Sequence, residues 1–118
     1  MFAVSFIFRP GAYDGEFRRL DAATRAIAEA TKGFIGSEIW WSDDRAACDA
    51  ACYWEYRRQL AAFARAILHR AAKARFDRWY DRYQVVGTEV RGAYGDGRPP
   101  HIASPISKFR RPPAVREA

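Results

Sequence analysis

The chain has 118 residues, 49% of them apolar and 15% aromatic, which is enough for one packed core and too little for a second domain. Its formal charge is +6, and Arg98, Lys108, Arg110, Arg111 and Arg116 concentrate positive charge near the end while acids and bases are interspersed elsewhere. No apolar run reaches the roughly 20 residues of a membrane span, no charged leader precedes the opening apolar stretch, and no basic stripe is interleaved with aromatics on one element. A membrane span, an exported protein and a nucleic-acid binder are therefore disfavoured, and the expectation is a soluble, cytoplasmic protein.

Residues 1–9 alternate Phe2, Val4, Phe6 and Phe8 against Ala3, Ser5 and Ile7, the two-residue period of a buried strand. Pro10 and Gly11 stop it. Asp14 can cap a helix whose Phe17, Leu20, Ala23 or Thr24, Ile27 and Ala28 or Ala30 recur at helical spacing. Lys32 and Gly33 end that helix, and residues 34–41 read as a second strand, followed by turn residues Ser42, Asp43 and Asp44. Residues 47–56 look extended again, with Ala50, Cys52 and Trp54 on one face and Ala51, Tyr53 and Glu55 on the other. A hairpin of the second and third strands follows.

From Arg57 to about Arg82, Leu60, Phe63, Ile67, Leu68, Ala71, Ala72, Phe76, Trp79 and Tyr80 are spaced three and four apart, predicting a helix with a break near Ala66. Residues 83–94 favour a last strand, closed by Gly95 and Gly97. The order is strand, helix, strand, strand, helix, strand, the pattern of a ferredoxin-like α+β domain over residues 1–97. Residues 98–118 hold five of the six prolines and form a basic tail, flexible or docked. Helices cover one sheet face, while the aromatics on both faces of the first three strands call for a second cover, most simply a second copy of the chain. Cys48 and Cys52 lie four apart on a strand, too far for a local bridge, and are expected as free thiols. No local spacing assembles a zinc site.

Several stretches carry a family resemblance: Gly33, Phe34 and Ile35 entering a strand; Tyr53, Trp54 and Glu55; Leu60 to Phe63; Leu68 to Ala72; Trp79, Tyr80 and Asp81; and the closing run from Val85 to Gly95. In order and spacing over residues 1–95 this series resembles the antibiotic-biosynthesis-monooxygenase family of dimeric α+β barrels. The resemblance implies a homodimeric barrel of ferredoxin-like protomers with a pocket between helices and sheet. It also implies an oxidoreductase, some members oxidising aromatic polyketides with molecular oxygen and no metal or flavin, and related ones degrading haem. Where the haem-degrading branch has a helical tryptophan this chain has Phe63, and the position of the haem-ligating histidine falls on Lys73, one turn beyond His69.

His69 shares a helix face with Arg65 and Lys73, and two neighbouring cations favour a neutral imidazole suited to a general base or ligand, the alternative being a packing role. Trp54 can stack on a flat substrate or serve the core. The phenols of Tyr80 and Tyr83 can donate to a developing oxyanion. Phe63, Phe76 and Arg65 are candidate pocket residues, with core packing the simpler role for the two phenylalanines. Of Trp40 and Trp41, adjacent on a strand, only one can face a pocket, and Trp40 is taken as that one. No phosphate loop, nucleophile elbow or metal-binding helix motif is present. The leading expectation is a cofactor-independent monooxygenase for a small hydrophobic, aromatic metabolite. A haem-binding or haem-degrading monooxygenase and a non-enzymatic ligand-binding or assembly module are the alternatives.

Overall fold

The alternation at the start of the chain builds the central strand of the sheet. In the computed structural model, which describes residues 1–73, 76–96 and 100–103 and only the backbone of 67–73 and 76, the elements run β1 (Phe2–Pro10), α1 (Gly15–Ala30), β2 (Phe34–Trp41), β3 (Cys48–Trp54), α2 (Arg57–Lys73), α3 (Phe76–Trp79) and β4 (Tyr80–Glu89). The strands form one sheet in the order β2-β3-β1-β4, with every neighbouring pair antiparallel. This is the ferredoxin-like βαββαβ arrangement that the order of periodicities predicts.

Partners across a strand pair share a face, so the register divides the side chains of the sheet into two layers. Phe2, Val4, Phe6 and Phe8 of β1 lie with Trp54, Cys52, Ala50 and Cys48 of β3 and with Val85 and Tyr83 of β4. Helices cover this layer. Val4, Ala28, Trp54 and Phe63 form one core cluster, and Trp79 and Tyr80 form another with Phe6, Phe8, Tyr13, Phe17 and Leu20 packed on it. The far layer has small residues at its centre, Ala3 and Ala51, beside Tyr53.

Asp14 caps α1 as its side chain allows, Oδ1 accepting from the Phe17 amide at 2.9 Å. Facing the sheet along α1 are Phe17, Leu20, Thr24 and Ala28, whereas Ile27, placed on that stripe by spacing, is 49% exposed. Gly33 holds φ of +93°, a left-handed helix stop that a side chain would strain, and a Cβ there would also stand 3.0 Å from Tyr56.

The course of the second helix and both ends of the last strand differ from those expected. The second helix continues through Ala66 to Lys73, and Tyr80, Asp81 and Arg82 belong to β4 rather than to a helix. The carbonyls of Arg78 and Trp79 accept from Ala12 at 2.9 Å and from Gly11 at 2.5 Å, so the chain at this point is tied to the β1–α1 turn and turns into the sheet. That approach requires glycine, because a Cβ on Gly11 would stand 2.5 Å from the Arg78 carbonyl oxygen. β4 ends at Glu89, and the following residues cross to the far layer, where Val90, Ala93, Ile102 and Ala103 pack against Ala3, Ala51 and Tyr53. That face, expected bare until a second copy covers it, is thus partly covered by the chain itself.

Trp54 has no exposed surface and meets Phe34 edge-on and Phe63 at a tilt, each at 5.1 Å. Trp54→Ala is expected to cost about 3–5 kcal/mol of stability in urea unfolding. Trp54→Phe costs clearly less, because the indole N–H it removes has no hydrogen-bond partner among the described residues.

Candidate functional site

Helix α1 stands off the sheet and leaves a cavity of about 540 Å3 between its inner stripe and the aromatic layer of β1, β3 and β2. The size and apolar lining are those of a small-molecule site. Phe6, Phe8, Tyr13, Phe17, Trp79 and Tyr80 line one part of it, and Val4, Ala28, Phe34, Cys52 and Phe63 another. Asp21, Thr24, Arg25 and Glu29 of α1 and Ser37 of β2 supply polar groups. The Arg25 guanidinium pairs with Asp21 at 3.2 Å.

The aromatic part is ordered by ring contacts. Tyr13 lies parallel on Phe17 at 4.0 Å, and Tyr80 meets Phe6 and Phe8 edge-on at 5.0 and 4.9 Å. Trp79 is 2% exposed, packs against Phe17 at 5.5 Å, and its indole N–H has no acceptor among the described residues. Burial, reinforced by the nearby Cys48 and Asp21, pushes the Tyr13 phenol up to about 12. Tyr80 is pushed up further, again chiefly by burial and then by Tyr13. Both phenols stay protonated at neutral pH and act as hydrogen-bond donors, not as bases.

Cys48 and Cys52 both face this layer as free thiols. Burial is the main cause that raises both, Cys52 to about 11, with the nearby Arg25 only partly opposing it. Neutral thiols are poor nucleophiles and poor metal ligands.

The structure brings only some of the expected residues to the cavity. Tyr80 and Phe63 line it, and Trp54 lies directly behind Phe34 and Phe63 as a buried wall. Tyr83 shares the layer but is 44% exposed and outside the lining, 5.9 Å from the Phe6 ring. Arg65 is exposed and outside the lining. The side chains of His69 and Phe76 fall outside the described residues.

Trp40 stands on the far face, 64% exposed, and Trp41 takes the cavity position instead. The cause is a register shift in β2: Phe34 pairs with Trp54 and Gly36 with Tyr53, so Ile35 is an extra residue. One inserted residue reverses the facing of every side chain after it. Phe34 points to the helices, and beyond the bulge Ser37, Ile39 and Trp41 do so in place of Gly36, Glu38 and Trp40. Tyr13, Phe17 and Trp79 are wall residues that the motif reading passed over as site residues. Tyr13 precedes the Asp14 cap and packs on the first turn, a pattern close to a hydrophobic staple that could have pointed to it.

No protein-family model matches the chain, and no curated protein matches it by sequence. Solved structures do. SnoaB, a cofactor-independent oxygenase from Streptomyces nogalater, superposes with a TM-score of 0.59 at 16% identity, over 78% of this chain and 94% of that one. Rv0793 from Mycobacterium tuberculosis gives 0.56 at 17% identity, over 75% and 93%. MhuD, with two manganese protoporphyrin IX groups bound per active site, gives 0.54 at 18% identity, over 80% and 99%. At these identities the likeness is one of fold. The chain therefore has the ferredoxin-like α+β fold expected from its resemblance to the antibiotic-biosynthesis monooxygenases.

Proposed function

We propose that the protein is a cofactor-independent monooxygenase for a small, flat, aromatic metabolite bound between α1 and the sheet. The observation that carries this reading is the cavity of about 540 Å3, walled by aromatic rings and holding one buried and one half-buried phenol, both neutral. The fold shared with a cofactor-independent oxygenase supports it.

In this reading the substrate slides between the rings of Tyr13, Phe17, Tyr80 and Trp41, which exclude water and hold it flat. An activated methylene of the substrate gives up one of its two protons to a base, a role for which His69 is proposed; the second leaves with the water of the last step. The Tyr80 hydroxyl donates to the substrate oxygen on which negative charge develops, and Tyr13 is placed to assist it. Molecular oxygen then takes two electrons from the carbanion as a C–O bond forms. Protonation gives a hydroperoxide, and loss of water across its O–O bond leaves a carbonyl.

Haem is the alternative guest, favoured by the fold shared with MhuD. Haem iron needs an axial donor. The described lining residues offer two thiols and two phenols, all held protonated by burial, and no histidine, so this alternative gives the axial place to His69. The described donor set does not fit haem.

The far face of the sheet is proposed as the homodimer interface. Glu38 and Asp49 lie toward its β2 edge, whereas Arg9 and Arg82, paired across β1 and β4, lie toward the other. A twofold axis parallel to the strands sets β2 of one copy over β4 of the other, so acidic and basic edges meet. Sedimentation equilibrium is expected to give a dimer that weakens with added salt, and a monomer at all concentrations would refute the pairing.

Oxygen uptake with hydroxylated polycyclic aromatics tests the activity. Tyr80→Phe should lower kcat about ten- to a hundredfold with KM little changed, in keeping with loss of a donor used in the transition state. Equal uptake by wild type and variant would remove Tyr80 from the chemistry. A saturable Soret shift with haemin, lost in His69→Ala, would transfer the assignment to haem.

The buried phenols also set an alkaline limit. A phenol whose pKa is raised by folding stabilises the fold fully below its unfolded value of about 10 and loses that contribution as pH rises through the folded value. Stability should therefore fall from about pH 10 upward, through the Tyr13 transition at about 12, with phenolate absorbance of the buried tyrosines appearing together with unfolding.

A further inference from the structure

The far face carries a fitted seat for the chain's own segment 101–103. Gly36 of β2 leaves the space that Ile102 occupies: a Cβ there would stand 3.3 Å from Ile102 Cδ1. Ala103 is 4% exposed and packs on Ala3, Ala51 and Tyr53. His101 is fixed at both ring nitrogens. Nδ1 accepts from the Ala103 amide at 2.9 Å, so in the neutral ring Nε2 bears the hydrogen and donates to Glu38 Oε1 at 2.9 Å. The same carboxylate oxygen accepts from the Tyr53 hydroxyl at 2.5 Å, and the His101 and Tyr53 rings meet edge-on at 5.6 Å.

Burial, the largest influence on Glu38, would raise its carboxyl. Hydrogen bonds from Tyr53, His101 and Trp40 outweigh it and hold the carboxyl below its usual range. The carboxylate is thus ionised where the strap docks, and a partly buried ionised acceptor makes charge-assisted bonds.

This cover is partial. Trp40 and Ile7, on the same face, remain 64% and 40% exposed. A second sheet packs face to face at about 10 Å, a gap filled by the side chains of the two inner faces. Ile102 and Ala103 occupy that gap over β1, β3 and β2, so a second sheet at that spacing would meet them while they are seated.

We infer that residues 101–103 form a strap that competes with a second copy of the chain for the far face, and that its release sets the balance between monomer and dimer. The inference rests on the pairing proposed above and adds the device that regulates it. Seated, the strap shields Ala3, Ala51 and Tyr53 within one chain. Lifted, it exposes Gly36, Glu38 and Tyr53 as a continuous surface with Trp40.

The test uses the full chain carrying His101→Ala and Ile102→Ser, both on the strap, so that the face itself is unaltered. Sedimentation equilibrium should show the dimer dissociation constant lowered by at least about tenfold relative to the wild type. In the unaltered chain, hydrogen exchange of the Ala103 amide should be faster at concentrations where the protein is dimeric than where it is monomeric. This second measurement decides the matter if the variant does not fold. An unchanged or weaker dimer in the variant, or an Ala103 amide that slows on dimer formation, overturns the strap alone. A chain that remains monomeric with and without the substitutions overturns the pairing as well.

Discussion

Strand β1 is the constraint on which the rest of the molecule depends. It is hydrogen-bonded on both edges, to β3 and β4, so its alternation cannot slip without moving every side chain to the wrong layer. Its even residues, Phe2, Val4, Phe6 and Phe8, are large, and its odd residues Ala3 and Ser5 are small. The large side needs a thick cover that helices can give. The small side makes a shallow floor on which either a short segment or another sheet can lie. The asymmetry of the two layers, cavity on one and docking face on the other, begins with this one strand.

The cavity exists because α1 buries little of its own surface. Ala28 is the single residue of this helix that is buried, and Phe17 and Leu20 reach the aromatic layer while the middle of the helix spans open space. Its anchors are at the ends: the Asp14 cap and Tyr13 stack at the start, Ala28 against Val4 and Trp54 at the finish. An element held at both ends and hollow beneath is a common way to combine a stable fold with room for a ligand. Burial then sets the chemistry of that room. It keeps phenols and thiols uncharged and favours hydrogen-bond donation over nucleophilic attack.

The two layers meet in β2, where a single extra residue decides which side chains serve which function. Because of the bulge at Ile35, Trp41 and Ile39 serve the cavity and Gly36, Glu38 and Trp40 serve the far face. Without it, Glu38 would face the aromatic wall and lose its bonds to Tyr53 and His101. The bulge therefore couples the site to the surface that the strap covers.

Much of this was legible in the sequence. The period of two in residues 2–8, the alternation of residues 48–54, the Asp14 cap and the left-handed stop at Gly33 are local properties, set by backbone sterics and side-chain spacing, and they fix the βαββαβ order and the layer of each β1 and β3 residue. Three features were not legible. Period counting cannot see a bulge, since an inserted residue costs nothing locally and is fixed by the partner strand, so Trp40 was assigned the place of Trp41. The β4 boundary at Tyr80 is set by carbonyls of Arg78 and Trp79 held by a turn some 66 residues earlier in the chain, counting from Ala12 to Arg78. The docking of His101, Ile102 and Ala103 depends on Gly36, Glu38 and Tyr53, three residues on two strands that only tertiary pairing brings to one face. The sequence by itself determined which elements form, their order, and the two faces of β1 and β3. Tertiary structure decided the parity of the edge strand, the hollow under α1 and the cover of the far face, because each depends on contacts between residues far apart in the chain.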